Sequence, residues 1–437
     1  MKWGVVILSG AADEPLPELD GLTPLEVADT PNIDRLARMG RVGAVAAIPR
    51  GAPADPALGA MSLLGCDAAL HWPGRSAIEA AAAGLDTPAD ASLFVVDLVC
   101  AGCEGSALAQ EDTGIVLDAA PADLMLTETR ELFAAVIDSW RDAMGDSAAS
   151  LSLASVAPGR GVLIDTGNLL DWDAITRPPS AVRGRDWRQH TPRGRCRDVA
   201  LALMETAAQT LEHHDVNLAR ISAGVRPANL AWLWGPGQSA ALPPLAEMVR
   251  VRALAAGRDS AFLGAVTLLG VKRAPITAST SADPIASTAD AAVDVLSRAD
   301  MVFAHTSAAA TAAADADIRA KIAAIERADD AVVGPMLDAL LALCGEDLEP
   351  RGSGAAGWRL LVCCDCAYSC RARTWIPEPT PFVMGGAWVR SLVQRRFTEA
   401  HGKESLLFVR PGCDLLEYFL ASGLKGISPI RKKRTST

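Results

Sequence analysis

The chain has 437 residues, half of them hydrophobic and 21% charged, enough for two domains with cores that need no disulfide support. Its 52 acidic against 41 basic side chains leave a net charge of −11, which excludes a general polyanion-binding surface and nucleic acid as a partner. The apolar excess is mostly alanine, and no uninterrupted apolar run reaches the ~18 residues of a membrane span, so no membrane partner is expected.

In chain order, WGVVILSG at 3–10 predicts a first strand buried on both faces. Its run is too short for a signal-peptide core. PNIDRLARMG at 31–40 predicts a helix with Thr30 as cap, Pro31 at its first position and Gly40 at its exit. An alanine-rich helix follows at 76–84. Further strands are predicted at 92–99, 230–234, 301–305 and 360–364, with the clearest helices at 126–145 and 313–344. Strands alternating with helices imply an α/β architecture with a largely parallel sheet. The Arg-, Pro- and Gly-rich stretch at 172–200 breaks that rhythm and belongs to an inserted region. The final RKKRTST is expected to be a solvated tail. The ten cysteines are irregularly spaced, as in a reduced cytoplasmic protein.

Four stretches in register carry a resemblance. They are GLTPLEVADTPNIDRLARMGRVG at 21–43, MSLLGCD at 61–67 with GRSAIEAAAAG at 74–84, RPANLAWLWGPGQ at 226–238, and IERADDAVVGPML at 325–337. Together they resemble the archaeal-type, cofactor-independent phosphoglycerate mutases of the alkaline phosphatase superfamily. That resemblance implies two divalent metals, Mn²⁺ or Mg²⁺, which activate a Ser or Thr alkoxide to take and return a phosphoryl group. A hydroxyl becomes a nucleophile at neutral pH only beside such an ion, and hard cations favour carboxylate and imidazole ligands.

Carried onto this chain, the resemblance implies seven positions, and at six of them the residue is of the wrong chemistry. Ser9 stands where the first strand should end in a metal-binding Asp. The nucleophile position is Pro56, and no hydroxyl lies between Arg50 and Met61. Ser62 matches the family's own second Ser, so it is not a replacement. In the third motif His305 remains, while the Asp and second His become Ala310 and Ala314. In the fourth, Asp365 is retained and the adjacent His is Cys366. The last His is Trp375, ahead of Pro379 and Pro381. One metal position thus loses Ala310, Ala314 and Trp375 together; the other keeps Asp365, with Cys366 as a candidate soft ligand.

Substrate groups follow suit. An Arg that would grip phosphate is Val95, and the segment at 120–123 ends in Asp123 where the family has His. Arg75 is retained as a candidate substrate-binding residue, although Glu79 one turn later is an equally good partner. Cys363, Cys364, Cys366 and Cys370 crowd one strand end, where alternation would put Cys364 and Cys366 on one face; core filling outweighs a zinc or redox role. Trp232, Trp234, Asn229 and Gln238 read as packing and turn residues.

The expectation is an α/β, alkaline-phosphatase-like core with a largely parallel sheet flanked by helices, formed by residues 1–87 and 226–437, plus an inserted α/β substrate or cap region at 88–225. The expected function is that of a non-catalytic family homologue, a pseudoenzyme that binds a small metabolite or a protein, with no cofactor. The alternative is an active mutase that interconverts 2- and 3-phosphoglycerate in glycolysis with Mn²⁺ or Mg²⁺. A zinc- or redox-dependent protein using the cysteine cluster is the third reading.

Overall fold

The apolar run that opens the chain forms the strand Lys2–Leu8, with Val5, Val6 and Ile7 fully buried. In this computed structural model, residues 1–102, 114–121, 123–276, 283–350, 356–391 and 393–423 are described. The tail at 431–437 and Ala122 lie outside them. The described residues divide into two units, Met1–Trp72 with Leu242–Thr437, and Pro73–Ala241.

In the first unit Lys2–Leu8 lies between two parallel neighbours, Met301–Thr306 and Trp358–Cys363, with Val5 level with both Phe303 and Leu361. The sheet continues through Ala253–Ala256 to Lys272–Arg273 on one side. On the other side Thr380–Gly386 runs antiparallel to Trp358–Cys363 and to Arg41–Val45, and Phe408–Val409 ends the order. This is the α/β fold with a largely parallel sheet that the strand–helix rhythm implies. Helices cover it, and Met336, Leu337 and Leu340 of Gly334–Cys344 share a core with Val6, Leu8 and Val362. Burial on both faces is why the first strand reads as a continuous apolar run.

Two local expectations are corrected. The helix Pro31–Met39 forms, but the Thr30 side chain makes no cap bond. Buried Asp329 caps it from a distant segment, accepting from the amides of Ile33 at 2.7 Å and Asn32 at 3.0 Å. The single helix expected at 313–344 is instead Ala308–Ala314, Ile318–Ala328 and Gly334–Cys344. A left-handed Ala316 ends the first piece, and Asp317 caps the second through the Ala320 amide. A π-helical turn, Asp329–Val333, joins the last two and carries the capping carboxylate.

The second unit begins at Pro73 and ends at Ala241, outside the expected boundaries of 88 and 225. The reason is pairing. Leu230–Gln238, expected in the parallel sheet, runs antiparallel to Ser92–Gly102, and Arg160–Asp165 pairs with the other side of the same strand. The helix Arg75–Ala83 joins that sheet through the Ser76 hydroxyl, which donates to the Leu93 carbonyl at 3.0 Å. The stretch at 172–200 also lies in this unit, whose core holds Trp140, Trp187 and Trp232. The indole of Trp232 donates to the Arg177 carbonyl, so both halves of that side chain are satisfied. Among the described residues, no helix is long and apolar enough to cross a membrane.

Candidate functional site

The carboxyl ends of the parallel strands in the first unit bring several predicted positions into one neighbourhood. Ser9 is buried just past Lys2–Leu8, and its amide donates to the Thr306 carbonyl at 2.9 Å. Gly10 follows at φ +69°, with its amide on the Cys366 carbonyl. A Cβ there would stand 2.6 Å from that of Ala310, so only glycine lets the loop pass. Asp365 closes the turn after Trp358–Cys363: Oδ1 accepts from the Cys366 amide at 2.6 Å and Oδ2 lies 3.3 Å from His305 Nε2. His305 is buried and stacks on Phe262 at 4.6 Å. The helix Pro56–Leu63 abuts the same turn, where a Cβ on Gly59 would come within 2.0 Å of the Asp365 carbonyl oxygen.

Ala310, Ala314 and Trp375 also meet, in an apolar cluster with Leu16, Ala313, Tyr368 and Cys370. The carbonyl of Ala314 accepts from Arg373 Nε at 2.8 Å. The side chains at these positions offer no anionic oxygen or imidazole, so they do not fit a hard divalent cation. Among the described residues, no group of three or more His, Cys, Asp or Glu side chains could hold a metal ion.

The expected nucleophile position offers nothing in compensation. Pro56 is buried at the first position of its helix, and the Asp55 carboxylate caps that helix through the Ala57 amide at 2.8 Å. Ser62 lines a separate cavity of about 150 Å³ with Arg50, Asp67 and Cys413, among others; Asp365 is not part of its lining.

The cysteines disperse. The strand ends at Cys363, so the predicted alternation does not extend to Cys364 and Cys366. The Cys363 thiol points to the Val6 carbonyl, Cys366 to that of Ile376, Cys364 joins the main core and Cys370 the small apolar cluster. Burial, and then the Asp365 charge, hold the Cys366 thiol well above the ordinary range; burial pushes Cys370 up to about 12. A soft-ligand role for Cys366 needs a thiolate that this environment disfavours.

In the second unit Arg75 is committed. Its Nε and Nη2 donate to Glu79 Oε1 at 2.9 and 2.6 Å, and Arg160 Nη1 reaches the same oxygen at 3.1 Å. Arg160 also makes a bidentate pair with Asp97, at 2.7 and 2.9 Å, and the Trp234 indole donates to Asp97 at 2.8 Å. Both guanidinium groups lie about 5.8 Å from the Trp234 ring. Two cations face two carboxylates, which leaves no net positive charge for a phosphate. Val95 is fully buried in the strand and Asp123 is exposed.

The sequence reading missed Lys321. It is fully buried and donates to Asp13 Oδ2 at 2.7 Å and to the Tyr368 carbonyl at 2.8 Å. Asp13 in turn accepts from the Cys370 amide, and its own amide donates to Glu399. The pair ties the loop after the first strand to the segment after Asp365. The available signal was its spacing: Lys321 sits four residues before Ile325 and seven before Ala328, on the buried face of Ile318–Ala328.

The comparisons place this architecture in a class. The cofactor-independent phosphoglycerate mutase of Thermoplasma acidophilum shares the fold, with a TM-score of 0.52 and 22% identity over 96% of this chain and 99% of that one. The class so defined is the α/β proteins with a largely parallel sheet flanked by helices. A family model described as 2,3-bisphosphoglycerate-independent phosphoglycerate mutase matches residues 37–217. The enzyme so named from Methanothrix thermoacetophila is 29% identical over 96% of this chain and 100% of its own length. That from Methanosarcina barkeri is 30% identical over 77% of this chain and 81% of its own. The chain belongs to the 2,3-bisphosphoglycerate-independent phosphoglycerate mutase family.

Proposed function

We propose that this family member no longer transfers phosphoryl groups and acts by binding a small metabolite or a protein. The supporting observation is the cluster at Ala310, Ala314 and Trp375: three positions assigned to one metal by resemblance lie together and are filled with hydrocarbon. Phosphoryl transfer depends on neutralising the charge of the transferring group and on an activated acceptor oxygen. Pro56 supplies no such oxygen, and Asp365 is already bound by an amide and an imidazole. The cytoplasm is the proposed compartment, supported by the irregular spacing of the ten cysteines, as in a reduced protein.

The relatives' names favour the second reading, an active metal-dependent mutase interconverting 2- and 3-phosphoglycerate. Metal analysis of the purified protein with a Mn²⁺ titration separates the two. Binding of no tight Mn²⁺ supports the first reading; two equivalents held through gel filtration overturn it.

A further inference from the structure

A second feature at the same sheet edge has a chemistry of its own. The strands Ala253–Ala256 and Met301–Thr306 are parallel and end side by side, and beyond their carboxyl ends opens a cavity of about 470 Å³. That is where ligands enter open α/β sheets, and the volume suits a small molecule. Ser9, Ala310, Trp375 and Asp365 are not part of its lining, so it is not the family's phosphotransfer centre.

Its walls are mainly apolar, from Pro284, Ile285, Ala308, Ala312, Ala320 and Ala324. Two buried polar side chains break that surface, and the hydroxyl of one, Thr288, is satisfied by the Pro284 carbonyl. His305 lines the cavity, is 2% exposed, and its Nδ1 is buried with no hydrogen-bond partner among the described residues. The ring is fixed by stacking on Phe262 and by Asp365 at Nε2. A carboxylate at Nε2 keeps the proton on that nitrogen, which leaves Nδ1 as a bare acceptor. A buried acceptor left unmade is unfavourable, and a donor brought by a ligand would relieve it.

The charges at the rim do not select an ion. Asp259 and Asp283 cap helices through the amides of Ala261 and Ile285, and Asp283 also accepts from Arg327. Arg258 donates to the Ser287 hydroxyl, and it and Asp315 are exposed with opposite signs. Three carboxylates against Arg258 and Arg327 make a poor seat for an anionic phosphoglycerate.

We infer that this cavity binds a small, uncharged, mainly apolar molecule that carries one N–H or O–H donor, and that His305 Nδ1 accepts that hydrogen bond. The inference deepens the binding reading and rests on it for the purpose such a ligand serves. The site itself does not require the mutase activity to be absent.

The test uses phenol and toluene, equal in shape and different in the donor, titrated into the full chain. Calorimetry reads affinity, and nitrogen NMR of histidine-labelled protein reads the His305 ring. Phenol is expected to bind saturably, about tenfold more tightly than toluene, and to shift the His305 Nδ1 resonance. Ala324→Phe, which fills the cavity from its wall, should abolish binding while thermal unfolding stays cooperative. Ala320→Leu serves as a second filling variant if the first does not fold. Equal affinities for phenol and toluene, an unmoved Nδ1 resonance, or binding that survives both filled variants would overturn the inference. Mutase turnover would overturn the binding reading and leave each of these readouts unchanged.

Discussion

Trp375 meets Tyr368 edge to face, with ring centroids 4.8 Å apart and planes at 77°, and the Tyr368 hydroxyl donates to the Arg373 carbonyl at 2.9 Å. The pair lies over Ala310 and Ala313, so a position expected to carry a metal-binding imidazole is an anchor of a small apolar core. Such packing is stable without an ion, and introducing charge into it is unfavourable.

The proposed loss of a metal position here is open to test by reconstruction. Ala310→Asp alone should destabilise the protein by about 2 kcal/mol or more, because it buries a carboxylate among methyl groups. Combined with Ala314→His and Trp375→His, it should give a protein whose Tm falls in chelator and rises with Mn²⁺, by the linkage that any ligand of the folded state produces. The wild type should show no such response in the same thermal scans. An equal rise in the wild type would contradict the account.

Lys321 and Asp13 are both fully buried, and breaking one partner leaves the other uncompensated. Lys321→Met should lower unfolding free energy by about 3–5 kcal/mol in urea titrations. Adding Asp13→Asn should return part of that loss, which separates the charge imbalance from the loss of packing.

Asp329 gives a pH signature. Burial raises its pKa above the ordinary carboxylate value, outweighing the amides of Asn32 and Ile33, which act to lower it. A carboxyl raised in the folded state binds its proton more tightly there, so its stabilising contribution is present below the unfolded value and is lost as pH rises through the folded one. The stability of wild type relative to Asp329→Asn should therefore fall as pH rises through that window. A difference that stays flat or grows would show that the amide bonds prevail.

Much of the fold was legible in local pattern. A buried parallel strand such as Lys2–Leu8 is an apolar run, and the helix Pro31–Met39 shows its apolar stripe at Ile33, Leu36 and Ala37. What escaped depends on contacts distant in the chain. The cap of Pro31–Met39 comes from Asp329, nearly 300 residues later, so Thr30 was the only local candidate. Leu230–Gln238 reads the same whether it joins a parallel or an antiparallel sheet, and its pairing with Ser92–Gly102 moves the unit boundary. At the site, residue identity told what Pro56 and Ala310 cannot do. That Ala310, Ala314 and Trp375 share one cluster, or that Arg160 completes the charge balance around Arg75, required the structure.

The thiols supply a test of the zinc and redox reading. Cys363, Cys364 and Cys366 are buried with their pKa values raised, and Cys66 and Cys100 are each pushed up to about 11 by burial first of all. Native protein should react with a thiol reagent at these sulfurs far more slowly than denatured protein, since the thiolate is the reactive form. Stoichiometric zinc lost on Cys366→Ser would contradict that expectation.

The most direct measurement is an enolase-coupled assay of 3-phosphoglycerate conversion by the purified chain in Mn²⁺, with the same preparation treated with chelator beside it. The expected rate is indistinguishable from the protein-free blank in both. Turnover in Mn²⁺ that chelation abolishes would show that Pro56 is bypassed and that an unrecognised set of residues holds the metal.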